Sequence, residues 1–450
     1  MTNIYIILLL SLFSCGKEHA EPSEDWRSVI PEAGLKEEIL WEPPAATVYI
    51  DPGNTVDGLR NGTISAPYNS FSEISWKSNT VYALKRGTVI ETGTVMLFAD
   101  GITLASYGTG KRPVIRSTST DHAVSTAWEG GNNITIRDVE IYAHRAVSSI
   151  IIRTGSNNVS IINARLHGST WGIRALNNIN GLYIHNTEIF NVKDDGIFIR
   201  DSRNIEISHC YIHKVNRNWK PPSTPESVAG GDGIQMELCN NWHVHHNVID
   251  RSDSGNKFCF ISNNPEQDNG IFEFNVLSGP QNPGFSIYIG DGRDITIRYN
   301  YISGPSQSPL WSHASGLKIY YNIFRDISGP LFVSGSAEVY NNLFYKMAIG
   351  IEGGSIIARN NIFDLGSVEA IRFKVSSLQE SNNLFVYGLP TANSAVENPL
   401  FINPAALNFK LQDESAAIDN GVDVGLYYDI EGNIVPSGLA PDIGPYESIR

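Results

Sequence analysis

Two short phrases in the chain carry paired acids at matching places. Asp194-Asp195-Gly196-Ile197 and Gly231-Asp232-Gly233-Ile234 each open an alternating apolar stretch. Ile197 precedes Cys210, and Ile234 precedes Asn247, by the same 13 positions. If the two stretches stack in register, Asp195 and Asp232 lie about 4.8 Å apart on neighbouring strands. Carboxylates that close do not both ionise cheaply, so either one becomes an acid of raised pKa or a cation such as Ca²⁺ sits between them. Asp194 is a third oxygen donor for such an ion, giving Asp194, Asp195 and Asp232 as the metal set. Ordinary Asp-Gly turn chemistry is the plain alternative.

The next stretch offers Lys257. With Cys259 in the place of Ile234, Lys257 joins the same column and serves as a base, while Arg251 or Arg217 meets an acidic group on a substrate. Between the two Asp phrases the chain is longer than elsewhere, and the surplus, Lys214 to Gly231, holds Arg217, Trp219 and Lys220. Long insertions in a regular array are usually functional loops, and an aromatic among cations suits packing on a sugar ring. Downstream, His243 and His245 point outward if Val244 points inward. The outward row then reads His185, Ser208, His245, Glu273, Arg298, Tyr320, Tyr340, a polar and aromatic stripe suited to holding a sugar. His243 and His245 lack the third close ligand that zinc requires.

These residues share a site only if the chain repeats, and it does. Copies such as NIEISHCYI (Asn204 to Ile212), NWHVHHNVI (Asn241 to Ile249), DITIRYNYI (Asp294 to Ile302) and GLKIYYNIF (Gly316 to Phe324) end on one pattern. Asn recurs at 247, 275, 300, 322, 342, 361 and 383, with Val139, Ala164, Thr187 and Cys210 as upstream equivalents. The period of 19 to 28 residues is one coil of a solenoid, and apolar alternation within each copy makes the coils strands rather than helices. Asn at one fixed position stacks as an amide ladder.

This pattern, from about Val48 to Asn383, resembles the right-handed parallel β-helix of the pectate-lyase-like superfamily. The resemblance implies an all-β, single-stranded right-handed parallel β-helix of about 10–12 turns. VYIDPGNTVDGLRNGTISAPYNSF (Val48 to Phe71) resembles the opening of extracellular members, and Glu397 to Glu447 their closing segment, so both ends are expected to be caps. The expected organisation is a signal peptide over 1–14, a flexible tether over 15–45, the solenoid with its N-terminal cap over 46–385, and a capping segment over 386–450. The superfamily also implies extracellular polysaccharide processing. One route is Ca²⁺-assisted β-elimination from a uronic-acid polymer, with Lys257 as base and Asp232, Asp195 and Arg251 around it. The other is hydrolysis by the paired Asp. Polygalacturonase-type hydrolases are matched only in part: Asn-Thr-Asp and Arg-Ile-Lys are missing. A non-catalytic glycan-binding surface protein is the third reading. Trp219, Arg217, His243, His245, Glu273 and Arg298 are the expected substrate contacts.

Composition narrows the partners. With 33 Lys and Arg against 47 Asp and Glu, the formal charge is −14, and no basic run offsets it, so nucleic acid is excluded as a partner. Ile4 to Phe13 is too short to span a bilayer as a helix but suits a secretory signal. Leu12-Phe13-Ser14-Cys15-Gly16 resembles the lipobox of bacterial lipoproteins, although residues 1 to 14 lack Lys and Arg. That resemblance implies a lipid on Cys15, a membrane anchor, and delivery to the outer membrane, with the body at the cell surface or facing the periplasm. A monomer is expected. Three other cysteines, Cys210, Cys239 and Cys259, are read as core fillers.

Overall fold

The structure is a computed structural model describing residues 28–37, 41–45, 47–55, 59–128, 131–215, 231–251, 258–265, 268–279, 284–367 and 370–449. Cys15, Arg217, Trp219 and Lys257 lie outside the described residues. The strands pair in parallel, each with its equivalent on the next coil, to give a parallel β-helix of about 12 turns. Among the described residues they form a 21-stranded sheet and a 14-stranded sheet. The larger sheet supplies two faces, because strands such as Ile197–Ser208 run on through the corner between them. We call them the front face, which includes Ile234–Glu237 and Phe260–Asn263, and the side face, which includes Asn240–His245 and Gly270–Glu273. The 14-stranded sheet is the back.

Alternation decides what each face buries. On the front face Ile150, Ile173, Ile197, Ile234 and Phe260 pair in one inward column, and all are fully buried. A single coil has no interior; stacking creates a continuous apolar column that no coil could bury alone. Cys210, Cys239 and Cys259 sit in this core as unpaired thiols, and burial pushes the Cys210 and Cys239 thiols up to about 12.

The corner between side and back faces is built from two residues per coil. The first is left-handed, at φ 54 for His209, 55 for His246, 52 for Phe274 and 56 for Tyr299. The second is the recurring Asn, which points inward. Asn247 Nδ2 donates to Asn275 Oδ1 at 3.0 Å, and the chain of amides continues to Asn383. Each of these amides is fully buried, where an unpaired group would cost about 1–3 kcal/mol. The same position with a non-amide ends the ladder: Cys210 offers only its backbone N–H, to Asn247 Oδ1.

The terminal segments differ from expectation. Residues 28–37, expected within a flexible tether, are packed: Val29 and Ile30 are buried in one cluster with Tyr211, Val248 and Val276 of the back face. Gly34 N–H donates to the His246 carbonyl, and Lys36 N–H to Asn186 Oδ1. Only the start of the closing segment plugs the end, where Ala395–Val396 pairs with Leu384–Phe385. The rest runs back along the corner, where Val422 and Asn360 exchange hydrogen bonds and Tyr299 OH donates to the Tyr428 carbonyl. The reason lies in the left-handed corner residues, whose rings and amides present apolar area and unpaired donors that a strand edge cannot satisfy.

Candidate functional site

The register places Asp195 and Asp232 on adjacent coils, since Ile197 pairs with Ile234. Their side chains, however, cap backbone. Asp195 Oδ1 accepts the Asp232 N–H at 2.7 Å and its Oδ2 accepts Trp171 Nε1–H at 3.3 Å. Asp232 Oδ1 accepts the Phe258 N–H at 2.9 Å. Both residues are buried, at 4% and 3% exposure. Burial, then the charges of Asp232 and Asp194, raise the Asp195 carboxyl well above the usual range. The glycines that follow are there for close approach: a Cβ on Gly196 would lie 2.6 Å from the Gly233 carbonyl oxygen.

Three expectations change here. Ile234 pairs with Phe260, not with Cys259, so the position opposite Asp232 belongs to Phe258. One additional residue at the corner, with both Cys259 and Phe260 turned into the core, accounts for the shift. Arg251 is fully buried, and its charge bears on the Cys259 thiol, a place from which it cannot meet a polymer on the surface. The acids do not fit the expected Ca²⁺ either. Both oxygens of Asp195 and one of Asp232 already accept N–H groups, and among the described residues no three His, Cys, Asp or Glu side chains are grouped to hold a metal ion.

The side face is different. Its outward rows follow the expected register, His185 with Ser208, His245, Glu273, Arg298, Tyr320 and Tyr340 in turn. A second outward row sets Tyr183, Glu206 and His243 on three successive coils. These three line an open pocket of about 360 Å³ with Asn204, Asn241, Asn269 and Ile271. Its floor depends on Trp242, which is buried, and on Gly270 in the next coil, where a Cβ would lie 2.1 Å from the indole.

In and beside the pocket the ionisable groups are ordered. His243 Nε2 lies 2.8 Å from Glu273 Oε1, and Arg298 Nε donates to Glu273 Oε2 at 2.6 Å. Burial works to raise the Glu273 pKa, but the hydrogen bonds and charges of His243 and Arg298 outweigh it and hold the carboxyl down to about 2. An ionised carboxylate only accepts, so His243 Nε2 is the donor in this hydrogen bond. Glu206 is 46% exposed at its side chain and lies 3.5 Å from His245 Nε2. Burial and the neighbouring imidazoles of His243 and His246 bring His245 down to about 4, against the pull of Glu206. Tyr183 is 42% exposed.

Sequence reasoning found His243, His245, Glu273 and Arg298 but not Tyr183 and Glu206, which line the pocket with His243 and share its outward parity. It also missed an outward row on the front face: Arg174, Phe198, Gln235, Ile261, Tyr288, Trp311 and Phe332 pair in sequence. Each directly follows an inward residue, which was the available signal. Trp311 stacks on Phe285 at 4.9 Å and on Phe332 at 4.0 Å.

A family model described as right handed beta helix region matches residues 100–276, in agreement with the parallel registers. No curated protein sequence matches the chain. Among solved structures, the chain is similar to a GH136 lacto-N-biosidase from Eubacterium ramulus, at 12% identity and TM-score 0.48 over 77% of this chain and 68% of that one. It is similar to the pectate lyase Pel9A at 15% identity and TM-score 0.41, over 94% of this chain and 99% of the other. The A-module of the Azotobacter vinelandii mannuronan C-5 epimerase AlgE4 is 14% identical with TM-score 0.37, over 71% of this chain and 91% of that module.

Proposed function

We propose that the protein is an extracellular polysaccharide-processing enzyme that cleaves a uronic-acid-containing polymer by β-elimination in the side-face pocket, without a metal. The observation that carries this reading is an imidazole held by an ionised carboxylate in an open pocket, with a phenol two coils away. Glu273 fixes the ring of His243, leaving Nδ1 as the base for the proton α to the uronate carboxyl group. Arg298, whose Nε is bound to Glu273, has its remaining guanidinium N–H groups for that carboxylate, which makes the proton more acidic. Tyr183 supplies a hydroxyl to protonate the departing glycosidic oxygen. Hydrolysis by Asp195 and Asp232 has no support, because those carboxylates are enclosed and engaged with backbone. In this reading the lipobox-like stretch before Cys15 delivers the enzyme to the outer membrane.

The aromatic row on the front face favours a second reading, a non-catalytic glycan binder. A panel of uronate polysaccharides followed by the near-ultraviolet absorbance of unsaturated products separates the two. Absorbance that rises with wild-type protein, persists with chelator and vanishes in His243→Ala supports elimination. New reducing ends without absorbance, or binding without turnover, overturns it.

A further inference from the structure

The front-face row begins at a guanidinium without a counter-ion. Arg174 is half-buried, its Nε is enclosed, and its side chain makes no hydrogen bond or ion pair among the described residues; its guanidinium carbon lies 4.8 Å from the Trp171 ring. An enclosed N–H without an acceptor is costly, and Trp171 cannot supply one, since its own N–H is turned to Asp195. One coil earlier a second cation is arranged in the same way. Arg153 lies 3.6 Å over the exposed ring of Trp128 and donates to Ser125 Oγ. Asp121 lies 3.8 Å from Arg153 Nη2, and it also meets His122 Nε2 at 3.1 Å. Burial and the neighbouring Arg174 both work against the charge on Arg153, with Asp121 opposing them.

Two cations close enough to disfavour each other, of which Arg153 and not Arg174 meets Asp121, are stabilised by an incoming oxyanion. The exposed face of Trp128 lies beside them, and an indole face packs on the C–H side of a sugar ring. We propose that Arg153 and Arg174, with Trp128 and Trp171, form a binding site for an oxyanion carried on a sugar, a carboxylate or a sulfate ester. The row that continues through Phe198, Tyr288 and Trp311 then extends the glycan along the front face. This site lies on a different face from the His243 pocket and does not depend on the reaction proposed there.

The test uses the full chain and three probes of equal length: an oligogalacturonate, a galactan oligosaccharide bearing sulfate esters, and the unsubstituted galactan oligosaccharide. Binding is read by calorimetry and by tryptophan fluorescence. At least one anionic probe is expected to bind 10-fold or more tightly than the neutral one, and the tighter of the two identifies the oxyanion. Arg174→Gln should remove that preference while leaving the neutral probe unchanged, and Arg174→Lys should keep part of it. Trp128→Ala, at an exposed position, should weaken all three. Equal binding of charged and neutral probes, no binding of either anion, or an anion preference that survives Arg174→Gln and Arg153→Gln would overturn the site. A catalytically active enzyme whose anion preference is untouched by these two variants would sink this inference and leave the elimination reading standing.

Discussion

Two columns of ionisable side chains stand on neighbouring faces of one solenoid. On the front, Asp195 and Asp232 repeat at one-coil spacing; on the side, Tyr183, Glu206 and His243 do the same. The stacking geometry is shared, and the environment is opposite. The front acids are enclosed, and each gives one oxygen to an N–H group of the next coil. The side-face groups project into a pocket, and their hydrogen bonds run to other side chains, which orient them without consuming them. Register brings groups together; burial and the unmet needs of nearby backbone decide whether they hold the fold or act on a substrate.

The comparison breaks most visibly at His243. Removing a positioned base costs about 10²–10⁴-fold in rate, so His243→Ala should lower kcat by that order with the melting temperature retained. Glu273→Gln should cost less, because the ring stays in place while its orienting charge is lost; a pH–rate profile displaced relative to wild type distinguishes this from simple misfolding. Asp232→Ala should do the reverse, leaving turnover per folded molecule unchanged and lowering stability by about 1–3 kcal/mol through the orphaned Phe258 N–H, read by chemical denaturation.

A smaller effect concerns pH. Asp268 is buried, and burial raises its carboxyl to about 6 despite hydrogen bonds from Ser262 and Trp242. The folded state therefore holds this proton more tightly than the unfolded chain, for which the ordinary value is 3.8. Its contribution to stability is full below that value and is lost as pH rises through about 6. Asp268→Asn should flatten the stability profile over this window, measured by denaturation at several pH values. Least of all, chelator should leave both turnover and melting temperature unchanged, since the paired acids are engaged with backbone.

The coil period was legible because the interior amide ladder demands the same residue type at the same corner in every turn, so Asn247 through Asn383 announce themselves. The pairing of Asp195 with Asp232 was legible from equal spacing to that ladder. Their role was not, because enclosure depends on neighbouring coils and on Trp171, far away in the chain. The register that set Cys259 opposite Ile234 was off by one residue where Cys259 and Phe260 both turn inward, an irregularity that alternation does not reveal. Val29 and Ile30 looked like part of a polar tether because their partners, Tyr211 and Val248, lie on a face whose coverage only the assembled corner requires. The front row escaped notice because its members, Arg174, Phe198, Tyr288 and Trp311, share parity and not residue type.

The central claim is that the open column, not the enclosed one, performs the chemistry. Its most direct test is parallel turnover of His243→Ala and Asp232→Asn on the uronate polysaccharide that the wild type cleaves, each normalised to folded protein and followed by near-ultraviolet absorbance. Loss of activity in the first with near-normal activity in the second is the expected result. An active His243→Ala beside an inactive but folded Asp232→Asn would return the reaction to the front face.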